Sequence, residues 1–368
     1  MHAAHGAGIT TVFEPAAAQT LVPDFRVRVN GANLPLDAAL DVLGVEVHDS
    51  LDAPSMCAIQ LVNWDMNTMR MTWSDDARFA PGGTLEVHLG YVDRLARVFT
   101  GEITGLEPDF NASEMSLLTV RSYDRRHRLM RGRKTRAFAQ MKDSDIAAQI
   151  AREAGLQVRA EDTRVKLEHV LQHDQTDFEF LLQRAQRLGY ELMVDGATLH
   201  FRAHQHTRRE AVQVSFEAGE LLEFAPRLTT LGQVDVAAVR GWDMRKKEPI
   251  VSELKDGSVS ATMGSSTGLA ATRRAFGAAT TTRTDTPIFT RSEADQLSAG
   301  HLNDLALGYI KGEAVCVGRA ELRAGSVIKL AGLGNRFSGL YYVTAAVHTT
   351  SARVGYRTAL QVRRNAAT

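Results

Sequence analysis

The sequence predicts an α+β chain that is mainly β, and three observations predict it. Short runs with period-two alternation fill two stretches, one before residue 123 and one after 212. Between them lies a compact stretch with helical spacing and a capping signature. A pattern of glycines and apolar residues also recurs, faintly, in both β stretches.

In the first β stretch, Phe25, Val27 and Val29 alternate with arginines and stop at the turn dipeptide Asn30-Gly31. Runs at 45–48, 58–62, 85–89 and 117–120 repeat the theme, with Pro81-Gly82-Gly83 and Gly90 where turns fall. Short strands at this spacing make a barrel or a sandwich. The pattern then changes. Asp143 or Ser144 can cap a helix that carries Ile146, Ala147, Ile150 and Ala154 on one face and stops at Gly155. Thr176 and Glu179 form a capping-box pair, each side chain satisfying the other's orphan amide, ahead of Phe178, Leu181, Leu182, Ala185 and Leu188. Gly189 ends that helix. A hairpin follows, with strands at 190–194 and 198–201 around the turn Asp195-Gly196.

From Val212 the β pattern returns, with strands expected at 234–236 and 239–242. The segment 253–290, rich in Ser, Thr, Ala and Gly, offers few large apolar anchors and reads as a mobile surface loop. Ser292 is expected to cap a third helix with Leu297, His301, Leu302 and Leu305 on one face. Strands resume after it. The repeat pairs Gly83 to Arg121 with Gly325 to Arg363 at equal spacing, and sets Phe99-Thr100-Gly101 against Phe337-Ser338-Gly339. Its content is a turn glycine, a strand, an aromatic–hydroxyl–glycine element and closing strands.

Composition narrows the function classes. The 368 residues are enough for two or three domains, and 44% hydrophobic with 23% charged residues is ordinary globular usage. Lys plus Arg equal Asp plus Glu at 43 each, which argues against a generic nucleic-acid or membrane binder. Cys57 and Cys316, far apart and each in an apolar run, read as buried thiols of a protein made in a reducing cytoplasm. The start, Met1 to Gly6, lacks the basic and apolar regions of a signal peptide, so no secretory export is expected. No apolar stretch approaches the roughly 20 residues of a spanning helix, so no membrane insertion is expected.

Candidate chemistry is sparse. Gly264-Ser265-Ser266-Thr267-Gly268 matches G-x-S-x-G, but no apolar strand precedes it, and a surface loop is the expected context. His200, His204 and His206 share strand parity but lack accompanying carboxylates or cysteines, so solvated or hydrogen-bonded histidines are expected and no metal. Gly332-x-Gly334 reads as a hairpin turn with no helix to receive a phosphate. The most suggestive cluster is basic: Arg125, Arg126, Arg128, Arg131, Arg133, Lys134 and Arg136, with Asp124 the only acid of the run. It reads either as a solvated crossover or as a contact for an acidic partner surface or for nucleic acid passing through a channel. Without interleaved aromatics, sequence-specific nucleic-acid binding is not expected. No catalytic residues and no cofactor are expected.

The stretch from Gln172 to Arg184, closing with Leu188-Gly189-Tyr190, resembles the helix signature of VgrG and phage late-control D proteins. Arg136-Ala137-Phe138-Ala139-Gln140 resembles that family's lead-in, and Val239-Arg240-Gly241-Trp242-Asp243 the start of its second β domain. Ala324-Gly325-Ser326, Phe337 to Tyr341 and Val347-His348 resemble its end. The resemblance implies two tail-tube-like β-barrel domains joined by α/β insert modules, in a pseudo-six-fold trimeric ring. In residue terms it implies a first barrel over 1–130, an α/β module over 131–205, a second barrel over 206–252 and 308–368, and an insertion with flexible loop and helix over 253–307. It further implies a structural hub of a contractile tail or injection-system baseplate, adapting a six-fold tube to a three-fold spike, and no enzyme. The partners implied are two further copies, a separate spike protein, a tube or tube-initiator protein and other baseplate proteins. A tail-associated cell-wall-degrading enzyme and a receptor- or carbohydrate-binding tip module are the competing classes. The first needs paired carboxylates or a metal triad, and the sequence shows neither.

Overall fold

The computed structural model describes residues 21–92, 94–111, 114–208 and 211–367. The expectation of no signal peptide falls on residues outside those described. In the first region β1 (Pro23–Val29), β2 (Val42–Ser50), β3 (Met56–Val62), β4 (Thr84–Tyr91), β5 (Arg94–Asp109) and β6 (Leu117–Tyr123) follow in order. Their alternation is that of half-buried strands, and their inward residues form one core that includes Val45, Ile59, Leu85, Ile103 and Val120.

A mixed module comes next. It contains β7 (Lys134–Met141), α1 (Asp143–Glu153), β8 (Gln157–Ala160), β9 (Leu167–Gln175), α2 (Asp177–Leu188), β10 (Tyr190–Asp195) and β11 (Thr198–Ala203). The capping box at the start of α2 is complete, and Gly189 closes the helix in the left-handed conformation at φ 69°. The cap of α1 differs from expectation. Lys142 occupies the N-cap position without a side-chain bond, because Asp143 instead binds the Arg184 guanidinium of α2 at 2.5 and 2.9 Å.

The third region holds β12 (Val212–Ser215), β13 (Leu221–Leu228), β14 (Val236–Asp243), β15 (Glu248–Lys255), α3 (Gly268–Phe276), β16 (Thr280–Arg283) and α4 (Arg291–Leu307). It ends with β17 (Ile310–Val317), β18 (Val327–Ala331), β19 (Gly339–Ser351) and β20 (Gly355–Arg364). Several expectations are corrected here. The segment 253–290 is not a bare loop: Thr267 caps α3, and β16 joins β14 and β15 in a small sheet covered by α4. Leu269 and Ile288 supply the apolar anchors that composition alone undercounted. Thr290, not Ser292, caps α4. The strands expected at 234–236 and 239–242 are one strand. A one-turn helix, Gly334–Phe337, follows Gly332.

The fold is mainly β, and its largest sheet runs through both β regions in the order β13-β17-β20-β19-β2-β3-β6-β5-β4-β1, with β18 on β19 and β12 on β18. Two sets of six strands share one plan. The first is ordered β2-β3-β6-β5-β4-β1 in space, the second β13-β17-β20-β19-β18-β12, and the chain visits corresponding strands in the same order. Only the outermost strand differs, since β1 is antiparallel to β4 while β12 is parallel to β18.

Details match at single residues. Gly82 and Gly325 both have positive φ, 93° and 78°. The first donates to Ile103 and the second to Val343. Those residues in turn bond Gly83 and Ser326. The ladder of each copy is irregular at one threonine, Thr104 or Thr344, whose hydroxyl reaches the carbonyl of Arg121 or Gln361. A second irregularity falls at Leu43 and at Leu222. The repeat is therefore real in the backbone, but its register differs from the sequence reading. Phe99-Thr100-Gly101 lies within β5, whereas Phe337-Ser338-Gly339 leads into β19, so those triplets are not equivalent.

Candidate functional site

The basic run folds as a short 3-10 helix, Arg125–Met130, followed by β7. Asp124 caps it by accepting from the Arg126 amide at 2.8 Å. Arg126 is buried, not solvated. Its guanidinium donates to the Asp124 carboxylate at 2.8 Å, to Ser55 Oγ at 3.0 Å, and to the carbonyls of Ser50 and Leu192 at 3.0 and 3.1 Å. Beside it, Asp49 accepts from Ser55 Oγ at 2.8 Å and from Arg323 at 2.8 Å. Burial would raise the Asp49 carboxyl, but the charge and hydrogen bond of Arg323 hold it below its ordinary range. This network ties the first β region, the α/β module and the second β region together.

Most of the remaining charges are also neutralised within the chain. Glu102 collects Arg125 at 3.2 Å, His127 at 2.9 Å and Arg128 at 2.5 Å. Burial pushes the Glu102 carboxyl up, and the hydrogen bonds from Arg128 and His127 with the charges of Arg128 and Arg125 outweigh it and bring it below the usual value. Arg133 pairs with Asp174 and Glu179, and Lys134 with Asp177 at 2.6 Å. Arg136 bridges Asp177 at 2.8 Å and Glu153 at 2.5 Å. Arg131 is exposed and makes no ion pair among the described residues. The sequence showed only Asp124 nearby because Asp49, Glu102, Glu153 and Asp177 reach the run from other elements. Their contribution carries no local sequence signal.

A cleft of about 900 Å³ separates the module from α4 and the second β region. Tyr190, Glu191, His204, His206, His301 and Arg363 contribute to its lining. His204 and His206 both lie against the Tyr342 ring, and burial lowers the His206 pKa to about 4, with His204 adding to the shift. His200 sits apart from them on β11. Among the described residues, no group of three or more His, Cys, Asp or Glu side chains could hold a metal ion. Ser266, at the serine of the G-x-S-x-G match, does stand at a strand-to-helix junction, and its Oγ accepts from Arg274 at 2.7 Å rather than from a histidine. Cys57 and Cys316 are buried free thiols, and among the described residues no helix is long and apolar enough to cross a membrane.

The sequence model of the Alg8 N-terminal domain family matches residues 19–352. The chain belongs to that family. No curated protein matches this Alg8 N-terminal domain chain. Its fold is similar to that of a 43 kDa tail protein of prophage MuSo2 from Shewanella oneidensis, at TM-score 0.67 and 12% identity over 93% of this chain and 98% of that one. A tail protein from Neisseria meningitidis is similar at TM-score 0.66 and 12% identity, covering 93% and 97%. An E. coli component of the type VI secretion system, described as structurally similar to the T4 tail proteins gp27 and gp5, follows at TM-score 0.58 and 14% identity, covering 93% and 79%. The fold of the chain is thus shared with these tail proteins and with the type VI secretion component, which is the fold that the resemblance to VgrG implied.

Proposed function

We propose that the chain is a structural hub that joins a six-fold tail tube to a three-fold central spike. The observation that carries this reading is the duplicated strand plan, with the same bulges and the same left-handed glycine in each copy. A chain with two tube-like units, one over 1–130 and one over 206–252 and 308–368, offers six similar surfaces when three copies assemble, and three distinct ones on the other side. The module 131–205 and the insertion 253–307 then lie outside the ring. Partners are a tube or tube-initiator protein, a separate spike and other baseplate proteins, in a phage tail or an injection particle. On the basic run, Arg131 is the exposed position without an ion pair among the described residues and so is left for an acidic partner. Cryo-electron microscopy of the assembled particle tests the reading: three copies coaxial with the tube support it, and six copies in that layer overturn it.

A further inference from the structure

The two six-strand copies differ in one respect that the duplicated plan makes conspicuous. In the second copy, β19 is flanked on one side by β20 over Tyr342 to Ser351. On its other side it meets β18 over Gly339 to Tyr342, then β2 of the first copy over Ala345 to Ser351. In the first copy, β5 meets β6 on one side and β4 on the other, but β4 covers it only as far as Glu102. Beyond Thr104 no strand among the described residues covers the side equivalent to the β2 position. The strand equivalent to β2 is β13, and it ends the sheet with an edge that no other described strand covers. The chain thus makes one copy-to-copy contact internally and carries both halves of the same contact unpaired.

We propose that the open half of β5 pairs antiparallel with the open edge of β13 of a second copy of this chain, in the register already used between β19 and β2. This rests on the hub reading and specifies how its ring closes. The matched bulges fix the correspondence: Ala345, Ala346 and Val347 map to Gly105, Leu106 and Glu107, while Ser50, Asp49 and His48 map to Thr229, Leu228 and Arg227.

Three features of the two edges agree with this register. Leu106 falls opposite Leu228 and Phe110 opposite Phe224, on the side that faces the cores. Leu106, Leu228 and Phe224 are only partly buried in one copy, and Phe110 is 63% exposed. On the outer side, Glu107 falls opposite Arg227. Arg227 stands next to Lys311 across the β13–β17 ladder, and neither makes an ion pair among the described residues, so Glu107, which receives Arg121 at 2.5 Å within its own chain, would complete that row as a shared acid. Pro108 falls opposite Pro226. Both prolines blunt their edges against casual pairing, and this register confines the lost ladder bonds to a single rung.

Glu107 and Arg227 correspond to Val347 and His48. Since Leu51 donates to Thr344, alternation makes the Val347–His48 pair a non-hydrogen-bonded one, with close Cα atoms suited to a disulfide. The test uses the full chain with Glu107→Cys and Arg227→Cys combined, the native thiols being buried. Oxidation should link separate chains, while Asp109→Cys with Arg227→Cys should not. In parallel, Glu107→Arg and Arg227→Glu should each weaken self-association roughly tenfold, and the double reversal should restore it. Melting temperatures check that every variant folds. Self-association without the 107–227 link and without charge rescue overturns this pairing but leaves a three-copy hub standing. A monomer at every soluble concentration also overturns the pairing, and particle microscopy then judges the hub reading separately.

Discussion

Arg126 binds an acid, a hydroxyl and two carbonyls drawn from three separate parts of the chain, and of those residues Asp124, Ser55 and Leu192 are buried. Arg126→Met leaves the buried Asp124 carboxylate without its counter-charge, so the expected loss is about 3–5 kcal/mol in urea unfolding. Arg131→Glu, five residues away and exposed, should change stability by less than about 0.5 kcal/mol. In a sequence the two arginines look alike. Only the arrival of Asp49, Ser55 and Leu192 from other elements separates a structural cation from a surface one. A pH effect belongs to this scale too. Burial, with Arg323 nearby, lowers the His348 pKa to about 4, and its Nδ1 sits 3.0 Å from the Tyr356 hydroxyl. The unfolded side chain titrates near ~6.5, so between those values the unfolded chain binds the proton and the folded chain does not. Stability should therefore fall as pH drops from about 6.5 toward 4, by up to ~3 kcal/mol for this residue. His206 adds a similar slope from its own depressed value. Thermal melts between these limits should show His348→Gln losing part of the slope, while His206 and the other histidines lowered by burial, His88, His200, His204 and His301, keep the rest. The carboxylates Asp49 and Glu102, held low when folded, lose their contribution only below about pH 4, which keeps the two effects apart.

Helix α2 was the most legible element, because everything that defines it lies within one stretch of chain. Thr176 and Glu179 close the capping box across a single turn, and Phe178 and Leu181 are 6% and 0% exposed on its inner face. Phe178→Ala or Leu181→Ala should cost about 2–5 kcal/mol, and Thr176→Ala only about 1 kcal/mol. Denaturation that ranks Thr176 above Phe178 would contradict this account of the helix. Helix α4 was less legible. Thr290 and Ser292 are both good caps, and the choice depends on how the chain enters from Ile288, which is buried under the small sheet. Gly300 carried no signal at all. Mid-helix, it reads as a mere weakness. In the fold, the end of α2 lies directly on it, so that a Cβ at Gly300 would stand 2.6 Å from the Leu188 carbonyl carbon. Gly300→Ala improves local helix propensity yet should lower stability by about 1–3 kcal/mol, since backbone and not a flexible side chain must give way. A variant as stable as the parent would mean that α2 and α4 are not in contact at that point.

At the scale of the molecule, the duplication was visible in sequence only as glycine punctuation. Its true register rests on backbone features with no fixed residue type, Gly83 matching Ser326 and Ile59 matching Ala314. Nothing local announced that the two copies share one sheet, because Ala345 to Ser351 and Gly44 to Ser50 are separated by most of the chain. That junction has a consequence for unfolding. Separate domains in one chain ordinarily meet through modest, polar surfaces and open independently. Here seven consecutive residue pairs join β19 to β2, and the Asp49–Arg323 pair and Arg126 lock the same place from beneath. Opening either copy alone would strip a buried strand edge from the other and leave Asp49, 2% exposed, without its cation. The two copies should therefore unfold as one cooperative unit. Native-state hydrogen exchange can measure this in β3 and β17, the corresponding central strands. Both should exchange with the same opening free energy, and Arg323→Ala should lower the two together by about 3 kcal/mol or more. A lower free energy in one strand, unaffected by Arg323→Ala in the other, would show two independent domains and would remove the sheet junction as the element that holds the molecule together.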